Sequence, residues 1–194
     1  MPSEAGAPLP PGLQALYTAS VAHRREHGCG AYSFEDGPGL LALVKRLQPQ
    51  RVLELGTALG YTAAIFATAA PACRVDSIEA DALHVRLARG HLAGLQLHQV
   101  TVHSGRFEAV LPTLQGGYDL AFFDGYAPSV AIIQRLHALL ATGGHLVCGN
   151  LGLAGAGEAR ALRALLSDGA RWQTRYTLEN GATAVARKLA DQSA

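Results

Sequence analysis

The fold of this chain is decided by the stretch Arg51-Val-Leu-Glu-Leu-Gly-Thr-Ala-Leu-Gly-Tyr-Thr62. Its first part, Val52 to Leu55, is nearly all apolar and predicts a buried strand. A turn bounded by Gly56 and Gly60 follows, and a helix begins immediately after it. A strand, a glycine turn and a helix in this order bring bare backbone close to a ligand. The stretch therefore predicts a ligand site at the end of the first strand.

Two acidic residues accompany this unit. Glu54 lies two positions before Gly56, and Glu79 ends the next apolar strand. A carboxylate at the end of the second strand can accept hydrogen bonds from both hydroxyls of a ribose. The pair indicates a cofactor that contains adenosine.

Two cofactor classes compete for such a turn. Nicotinamide dinucleotides use G-x-G-x-x-G, whereas here three residues separate Gly56 from Gly60 and position 61 is a tyrosine. Glu54 would also repel a phosphate. S-adenosylmethionine has no phosphate, and its ammonium group suits a carboxylate. The pattern favours S-adenosylmethionine, and an ordinary βαβ turn without a ligand is the alternative that stays open.

Composition sets further bounds. The chain has 194 residues, 49% of them apolar, which is enough for one domain with a substantial core. Its net charge of +1 gives no support for a nucleic-acid surface, and no apolar run reaches the length of a membrane span. Three cysteines without a C-x-x-C spacing indicate reduced thiols in the cytoplasm. We expect a flexible tail at 1–11 and a single domain at 12–190.

Apolar segments alternate between strand and helix patterns along the chain. They predict an α/β fold with a doubly wound, mostly parallel, seven-stranded Rossmann-like sheet. Asn180-Gly181 between two strand-like runs predicts a C-terminal antiparallel hairpin. Strands are expected at 52–55, 74–78, 100–103, 118–124, 145–148, 171–178 and 182–188, with a turn at Gly143-Gly144.

Polar residues stand where the expected parallel strands end, and ligands bind at those ends in such sheets. Polar residues at other positions give weaker evidence of a functional site. His103 has no predicted partner. His23 and His27 have the i, i+4 spacing of metal ligands but no evident third ligand, which favours surface histidines. The strand-end residues are Glu54, Gly56, Glu79, Ser104, Gly105, Asp124, Gly149 and Asn150.

Taken in order, the motifs resemble the class I S-adenosylmethionine-dependent methyltransferases, and more narrowly the catechol and caffeoyl-coenzyme-A O-methyltransferase family. The resemblance covers roughly 13–188 and implies the fold expected above. The motifs that carry it are Val-Leu-Glu-Leu-Gly-Thr-x-x-Gly-Tyr-Thr at 52–62, Ile-Glu-Ala-Asp at 78–81, Gly-Arg-Phe-Glu at 105–108, Tyr-Asp-Leu-Ala-Phe-Phe-Asp-Gly at 118–125 and Gly-Gly-His-Leu-Val-Cys-Gly-Asn at 143–150.

The resemblance implies roles for individual residues. Glu54 would lie by the methionine moiety, Thr62 would bind its carboxylate, and Glu79 would hold the ribose. Tyr126 would pack on the adenine, and the loop at 32–37 would cover the cofactor. The implied cofactor-binding set is Glu54, Gly56, Thr57, Gly60, Thr62, Glu79, Ala80, Gly105, Arg106, Phe107, Asp124 and Tyr126.

The catalytic half departs from the family pattern. Family members bind a divalent cation through an Asp and then an Asp-Asn pair, and a lysine three residues after the first Asp receives the proton. Here the first position is Asp124, the pair reads Gly149-Asn150, and the lysine is Ala127. We therefore expect no tightly bound metal, although Asp124 and Asn150 keep oxygens for a weakly held cation.

Three functions follow as hypotheses. The first is methyl transfer from S-adenosylmethionine to an oxygen of a small molecule, with Asp124 and Tyr126 as the candidate catalytic residues. The second is a cofactor-binding protein that has lost catalysis and acts as a sensor or subunit. The third, aminopropyl or carboxyl transfer, ranks below both. The resemblance also implies a homodimer as one form of assembly.

Overall fold

The computed structural model describes residues 8–30 and 32–190 and contains a seven-stranded sheet of order β3-β2-β1-β4-β5-β7-β6. The first five strands run parallel, β7 runs antiparallel to β5, and β6 runs antiparallel to β7. The predicted fold class is confirmed. The strands are β1 (Arg51–Leu55), β2 (Arg74–Glu79), β3 (Val100–Ser104), β4 (Tyr118–Phe123), β5 (Leu140–Cys148), β6 (Trp172–Leu178) and β7 (Thr183–Lys188).

Helices cover both faces of the sheet. The helices are α1 (Pro11–His27), α2 (Gly37–Leu47), α3 (Tyr61–Ala69), α4 (Ala82–Gly94), the short α5 (Phe107–Val110), α6 (Val130–Leu139) and α7 (Ala156–Leu166). Single 3-10 turns lie at Leu111–Thr113, Leu151–Leu153 and Glu179–Gly181. Among the residues described, none of these helices combines the length and hydrophobicity that a bilayer crossing needs.

Alternate side chains of the central strands enter two separate cores. Val52 and Phe122 pack with α2 and α3, whereas Leu53 and Phe123 pack with α6 and α7. Strands buried on both faces read as continuous apolar runs, which explains why β1 and β4 show no polar alternation. The exception is Glu54, a carboxylate that is fully buried within β1.

The structure corrects the expected start of the fifth strand. β5 begins at Leu140, and Gly143-Gly144 lies inside this strand. At these glycines the register of the pairing between β5 and β4 shifts. Gly143 has φ +83°, and a Cβ on Gly144 would lie 2.9 Å from the carbonyl oxygens of Ala141 and Tyr118. Two glycines that allow a positive φ and a close backbone approach therefore continue the strand through a bulge instead of ending it.

Two histidines make contacts that the sequence did not predict. His103 has a partner, because its Nε2 lies 2.7 Å from Oδ1 of Asp76, which also accepts a hydrogen bond from Tyr118. His23 is only partly exposed, and its ring contacts that of His84 with centroids 5.4 Å apart. Of the predicted tail, residues 1–7 lie outside the described residues, and α1 already begins at Pro11.

Candidate cofactor site

The glycine turn after β1 lies against the end of β4. Gly56 has φ +99°, and a Cβ there would come within 2.8 Å of the carbonyl oxygen of Asp124. The Gly56 amide donates to the carbonyl of Ile78, at 3.1 Å. The turn is thus held between β2 and β4, and only glycine has room for this path. Gly60, with φ +91°, closes the turn as the residue before α3.

Glu54 lies beneath this turn and is fully buried. One carboxylate oxygen accepts a hydrogen bond from the hydroxyl of Thr62, and the other accepts one from Ser77. Ser77 also shares a hydrogen bond with the buried Thr57. The hydroxyl of Thr62 is therefore used inside the protein, and Glu54 and Thr57 support the turn from below.

Burial outweighs these hydrogen bonds and raises the pKa of Glu54 from an ordinary 4.5 to about 7. A carboxyl whose pKa is higher in the folded state binds extra protons there, so it contributes stability below pH 4.5 that is lost as the pH rises through 7. We expect the free energy of unfolding of the ligand-free protein to fall by about 3 kcal/mol over this range because of Glu54. Chemical denaturation at a series of pH values measures it.

Glu54→Gln supplies the comparison, because the amide keeps the shape of the side chain and does not titrate. The difference in unfolding free energy between the two proteins isolates Glu54 from the other titrating groups. It should change by about 3 kcal/mol between pH 4.5 and 8. A difference that stays constant over this range would contradict the raised pKa.

Glu79 is oriented at the end of β2 by two backbone amides. Its Oε2 accepts from the Ala58 amide at 2.8 Å, and its Oε1 accepts from the Asp81 amide at 2.9 Å. An ionised carboxylate has about four acceptor positions, so each oxygen retains capacity for a further donor. This fixed carboxylate fits the predicted ribose contact. The neighbouring Ala80 is exposed.

Next to Glu79, the turn after β3 presents an aromatic ring. The Gly105 amide donates to the Glu79 carbonyl at 2.8 Å. Phe107 is half-buried and packs edge-on against Phe123, with ring centroids 6.2 Å apart. Arg106 is exposed and pairs loosely with Glu108. The turn thus places Phe107 as a packed apolar surface near Glu79.

Tyr126 does not occupy a packed position in this structure, because the residue is 83% exposed. Phe107 is instead the aromatic that is held near the strand ends: a Cβ on Gly125 would lie only 2.9 Å from its ring. The predicted contact of Tyr126 with adenine stays a prediction.

Asp124 is the first residue after β4, and it lines a cavity with the glycine turn. Its Oδ1 accepts a hydrogen bond from Nδ2 of Asn150, at 3.0 Å, and the same nitrogen donates to the Gly125 carbonyl, at 2.6 Å. Desolvation first, and then the nearby Glu179 and Glu54, raise the pKa of Asp124 well above its usual range. Asp124 is thus a candidate proton acceptor beside the glycine turn.

The sequence analysis missed Glu179. It lies in the hairpin turn, where its carboxylate accepts from the Thr183 hydroxyl and from the Glu35 amide, and its own amide donates to Asp36. Glu179 contributes to Asp124 only because β7 pairs with β5, which brings the hairpin turn to the end of β4. The Asn180-Gly181 motif did not predict that Glu179 lies near Asp124, because such a motif indicates only that the chain reverses direction.

The residues at Asp124 do not fit the divalent-cation site of the resembling family. Asn150 directs its amide nitrogen, a donor, towards Asp124, and Gly149 brings no carboxylate. Glu179 is already engaged by Thr183 and Glu35. Hard cations require several oxygen ligands that converge on one point. Among the described residues, the one group of three His, Cys, Asp or Glu side chains close enough for a metal lies elsewhere.

One cavity is lined by several of these residues, and a second lies next to Asn150 along the chain. The first encloses about 10 Å³ between the loop around Tyr32–Phe34 and the glycine turn, with Asp124 in its wall. This space is too small for a cofactor, so the loop must shift for the methionine end of S-adenosylmethionine to bind there. The second cavity measures about 500 Å³ and begins at Leu151, next to Asn150. Its lining also includes Gly152, Arg163, Ser167, Tyr176, Gly181 and Ala182.

A family model described as a methyltransferase domain matches residues 53–151, from the third residue of the decisive stretch to three residues beyond the end of β5. The chain belongs to the class I S-adenosylmethionine-dependent methyltransferase family. The match spans just over half of the chain and includes Glu54, Glu79 and Asp124 together with the turns that position them. The resemblance inferred from the sequence is thereby confirmed.

Two relatives with sequence similarity to this chain are also methyltransferases. The chain is 36% identical over 146 residues to a catechol O-methyltransferase of Mycobacterium tuberculosis, which covers 73% of this chain and 65% of that protein. It is 37% identical over 100 residues to a protein-L-isoaspartate O-methyltransferase of Shewanella denitrificans, with 51% and 43% covered. The chain thus spans less than two thirds of the length of these curated relatives.

A solved structure shows the same fold over nearly the whole chain. The O-methyltransferase TomG of Streptomyces achromogenes, involved in tomaymycin synthesis and crystallised with S-adenosylmethionine, has a TM-score of 0.80. The two proteins are 23% identical, and the superposition covers 97% of this chain and 94% of TomG. At this identity the likeness shows the methyltransferase fold alone.

Proposed function

We propose that this protein transfers the methyl group of S-adenosylmethionine to an oxygen atom of a small molecule without the help of a divalent cation. The observation that carries the proposal is a carboxylate with a raised pKa, Asp124, beside the glycine turn of a methyltransferase sheet. Glu79 and the backbone of the turn would hold the cofactor. S-adenosylmethionine supplies a methyl group on a positively charged sulfur.

The leaving thioether is neutral, so the protein needs mainly to align the acceptor and exclude water. Asp124 would take the proton from the acceptor hydroxyl, because a raised pKa makes its carboxylate a stronger base. Asn150 holds the Asp124 carboxylate in place through its amide. The 500 Å³ cavity beyond Asn150 has the volume of a small-molecule site, which supports a small organic acceptor.

The positive charge of S-adenosylmethionine also supports its proposal as the cofactor. Glu179 and Glu54 are close enough to Asp124 to raise its pKa. None of the ion pairs within 8–30 and 32–190 involves them. A cationic ligand would relieve the mutual repulsion of these carboxylates, whereas a dinucleotide phosphate would add to it. S-adenosylmethionine, with its sulfonium and ammonium groups, is complementary to the site.

Excess EDTA should leave methyl transfer unchanged, within about twofold, because no step depends on a bound cation. The assay is turnover of S-adenosylmethionine with a panel of catechols and other phenols, followed by mass detection of methylated product. A metal-dependent catechol methyltransferase assayed in parallel should lose activity in the same buffer. Activity that EDTA removes and Mg²⁺ restores would contradict the proposal.

A second candidate is a cofactor-binding protein without catalysis, acting as a sensor or subunit. The absence of a carboxylate at Gly149 and of a lysine at Ala127 favours it, since both groups serve catalysis in the resembling family. Cofactor binding by calorimetry combined with no methylated product from any acceptor would favour this candidate over the first.

We further propose a cytoplasmic setting, a small-molecule acceptor as the physiological partner, and no role for nucleic acids or membranes. Its support is the near-neutral charge and the three free thiols, Cys29, Cys73 and Cys148. A homodimer is proposed by analogy with the family alone, and sedimentation at micromolar concentration tests it.

A further inference from the structure

One cluster of metal-ligating side chains lies apart from the residues discussed so far. His23 on α1, Cys29 just after α1, and His84 on α4 each bring a donor atom within 4.8 Å of the other two. It is the single such group found in the described parts of the chain. The sequence analysis considered His23 only with His27 and found no third ligand, because Cys29 and His84 become neighbours through the fold.

The backbone fixes the positions of all three residues. α1 ends at His27, and Gly28 adopts a left-handed conformation with φ +59° that turns the chain back on the helix. Cys29 is thereby brought next to His23, one helical turn before the end of α1. His84 lies in the first turn of α4, where its amide is capped by Asp81 at 3.0 Å. The ligands come from elements whose ends are held by capping contacts.

A second, independent observation indicates a ligand at this cluster. The Nε2 atom of His23 is buried and has no hydrogen-bond partner. A buried polar atom without a partner is costly and uncommon. A neutral imidazole nitrogen with a free lone pair is the form that binds metal.

We propose that His23, Cys29 and His84 form a zinc site that joins the C-terminal end of α1 to α4. Two imidazole nitrogens and a thiolate suit Zn²⁺, whose bonds of about 2.0–2.3 Å require the three donors to approach somewhat further. Magnesium and calcium prefer oxygen ligands and are not expected here. Glu26 and Asp81 are the acidic groups near His23, and they complement the cation.

The site would act on the neighbouring loop. Cys29 directly precedes the segment that carries Tyr32 and Phe34, and both residues line the small cavity at the glycine turn. Zinc bound at Cys29 and His84 would hold the start of this segment against α4. The site does not require that the protein transfer methyl groups, because it is defined by its own ligands.

The test uses the full, untagged chain after treatment with a chelator and a reductant. Titration with Zn²⁺ alone should show one bound ion per chain and an increase in Tm. Titration with Co²⁺ should produce a near-ultraviolet thiolate-to-cobalt absorption and the visible bands of tetrahedral Co²⁺. Cys73 and Cys148 are buried, at 1% and 0% exposure, so the thiolate band reports Cys29.

Cys29→Ser should abolish the thiolate band and weaken Zn²⁺ binding by at least about 10–100-fold, and His84→Gln should weaken it similarly. His98→Gln, which removes an exposed histidine outside the cluster, should bind like the unchanged protein. Circular dichroism in metal-free buffer checks that every variant is folded. The proposal is overturned if the chain binds no Zn²⁺, or if Cys29→Ser keeps the thiolate band and the affinity.

Discussion

Asp124→Asn is expected to lower kcat for methyl transfer by about 10²–10⁴-fold, the usual contribution of a general base. Asn keeps the shape of the side chain and can still accept the hydrogen bond from Asn150, so the fold should be preserved. It cannot accept a proton. Steady-state turnover with a phenolic acceptor measures the loss.

Two comparisons identify the cause of that loss. If Asp124 acts as the base, the variant should recover activity at high pH and with acceptors of low pKa, which ionise without help. Its Kd for S-adenosylmethionine should change by less than about threefold. A loss of cofactor affinity as large as the loss of kcat would instead assign Asp124 to binding of the ammonium group. Glu108→Gln, which alters an exposed acid, serves as the matched control.

Glu79→Ala is expected to weaken the binding of S-adenosylmethionine by about 100-fold, or about 3 kcal/mol. The physical reason is the loss of charge-assisted hydrogen bonds to both ribose hydroxyls. Isothermal calorimetry at fixed ionic strength measures the change. S-adenosylhomocysteine carries the same ribose, so its affinity should fall by the same factor.

The removal of Glu79 also leaves the amides of Ala58 and Asp81 without their acceptor. Glu79→Gln retains one acceptor oxygen and separates this structural effect from the loss of the ribose contact. We expect Glu79→Gln to weaken binding by about tenfold and to melt within a few degrees of the unchanged protein. An unchanged affinity in both variants, with Glu108→Gln as control, would refute the ribose role of Glu79.

Glu54 lies close enough to Asp124 for their charges to interact. A further prediction follows for the protons that are released when the cofactor binds. Burial raises the pKa of both Glu54 and Asp124 in the ligand-free protein. A cationic ligand would favour their ionised forms and lower both pKa values. Binding of S-adenosylmethionine should therefore release protons, more so than binding of the neutral thioether S-adenosylhomocysteine. Calorimetry in buffers of different ionisation enthalpy reports this release.

The pattern of residues determined the architecture. Apolar runs alternating between strand and helix patterns, the glycine turn at Gly56 and the Asn-Gly hairpin signal were sufficient to predict the sheet and its antiparallel end. The position of Glu79 at the end of β2 could also be predicted, because the apolar run that forms this strand ends at that residue. These are local properties, and a local property can be read from neighbouring residues alone.

Other features depended on contacts between distant parts of the chain. Burial of Glu54 under two hydroxyls, the approach of Glu179 to Asp124, and the meeting of Cys29 with His84 involve residues far apart in sequence. Desolvation and charge proximity act through space, so the raised pKa values of Glu54 and Asp124 have no signature in sequence spacing. Tertiary structure also decided that Asn150 faces Asp124 with a donor, since the sequence specifies the amide but not its direction.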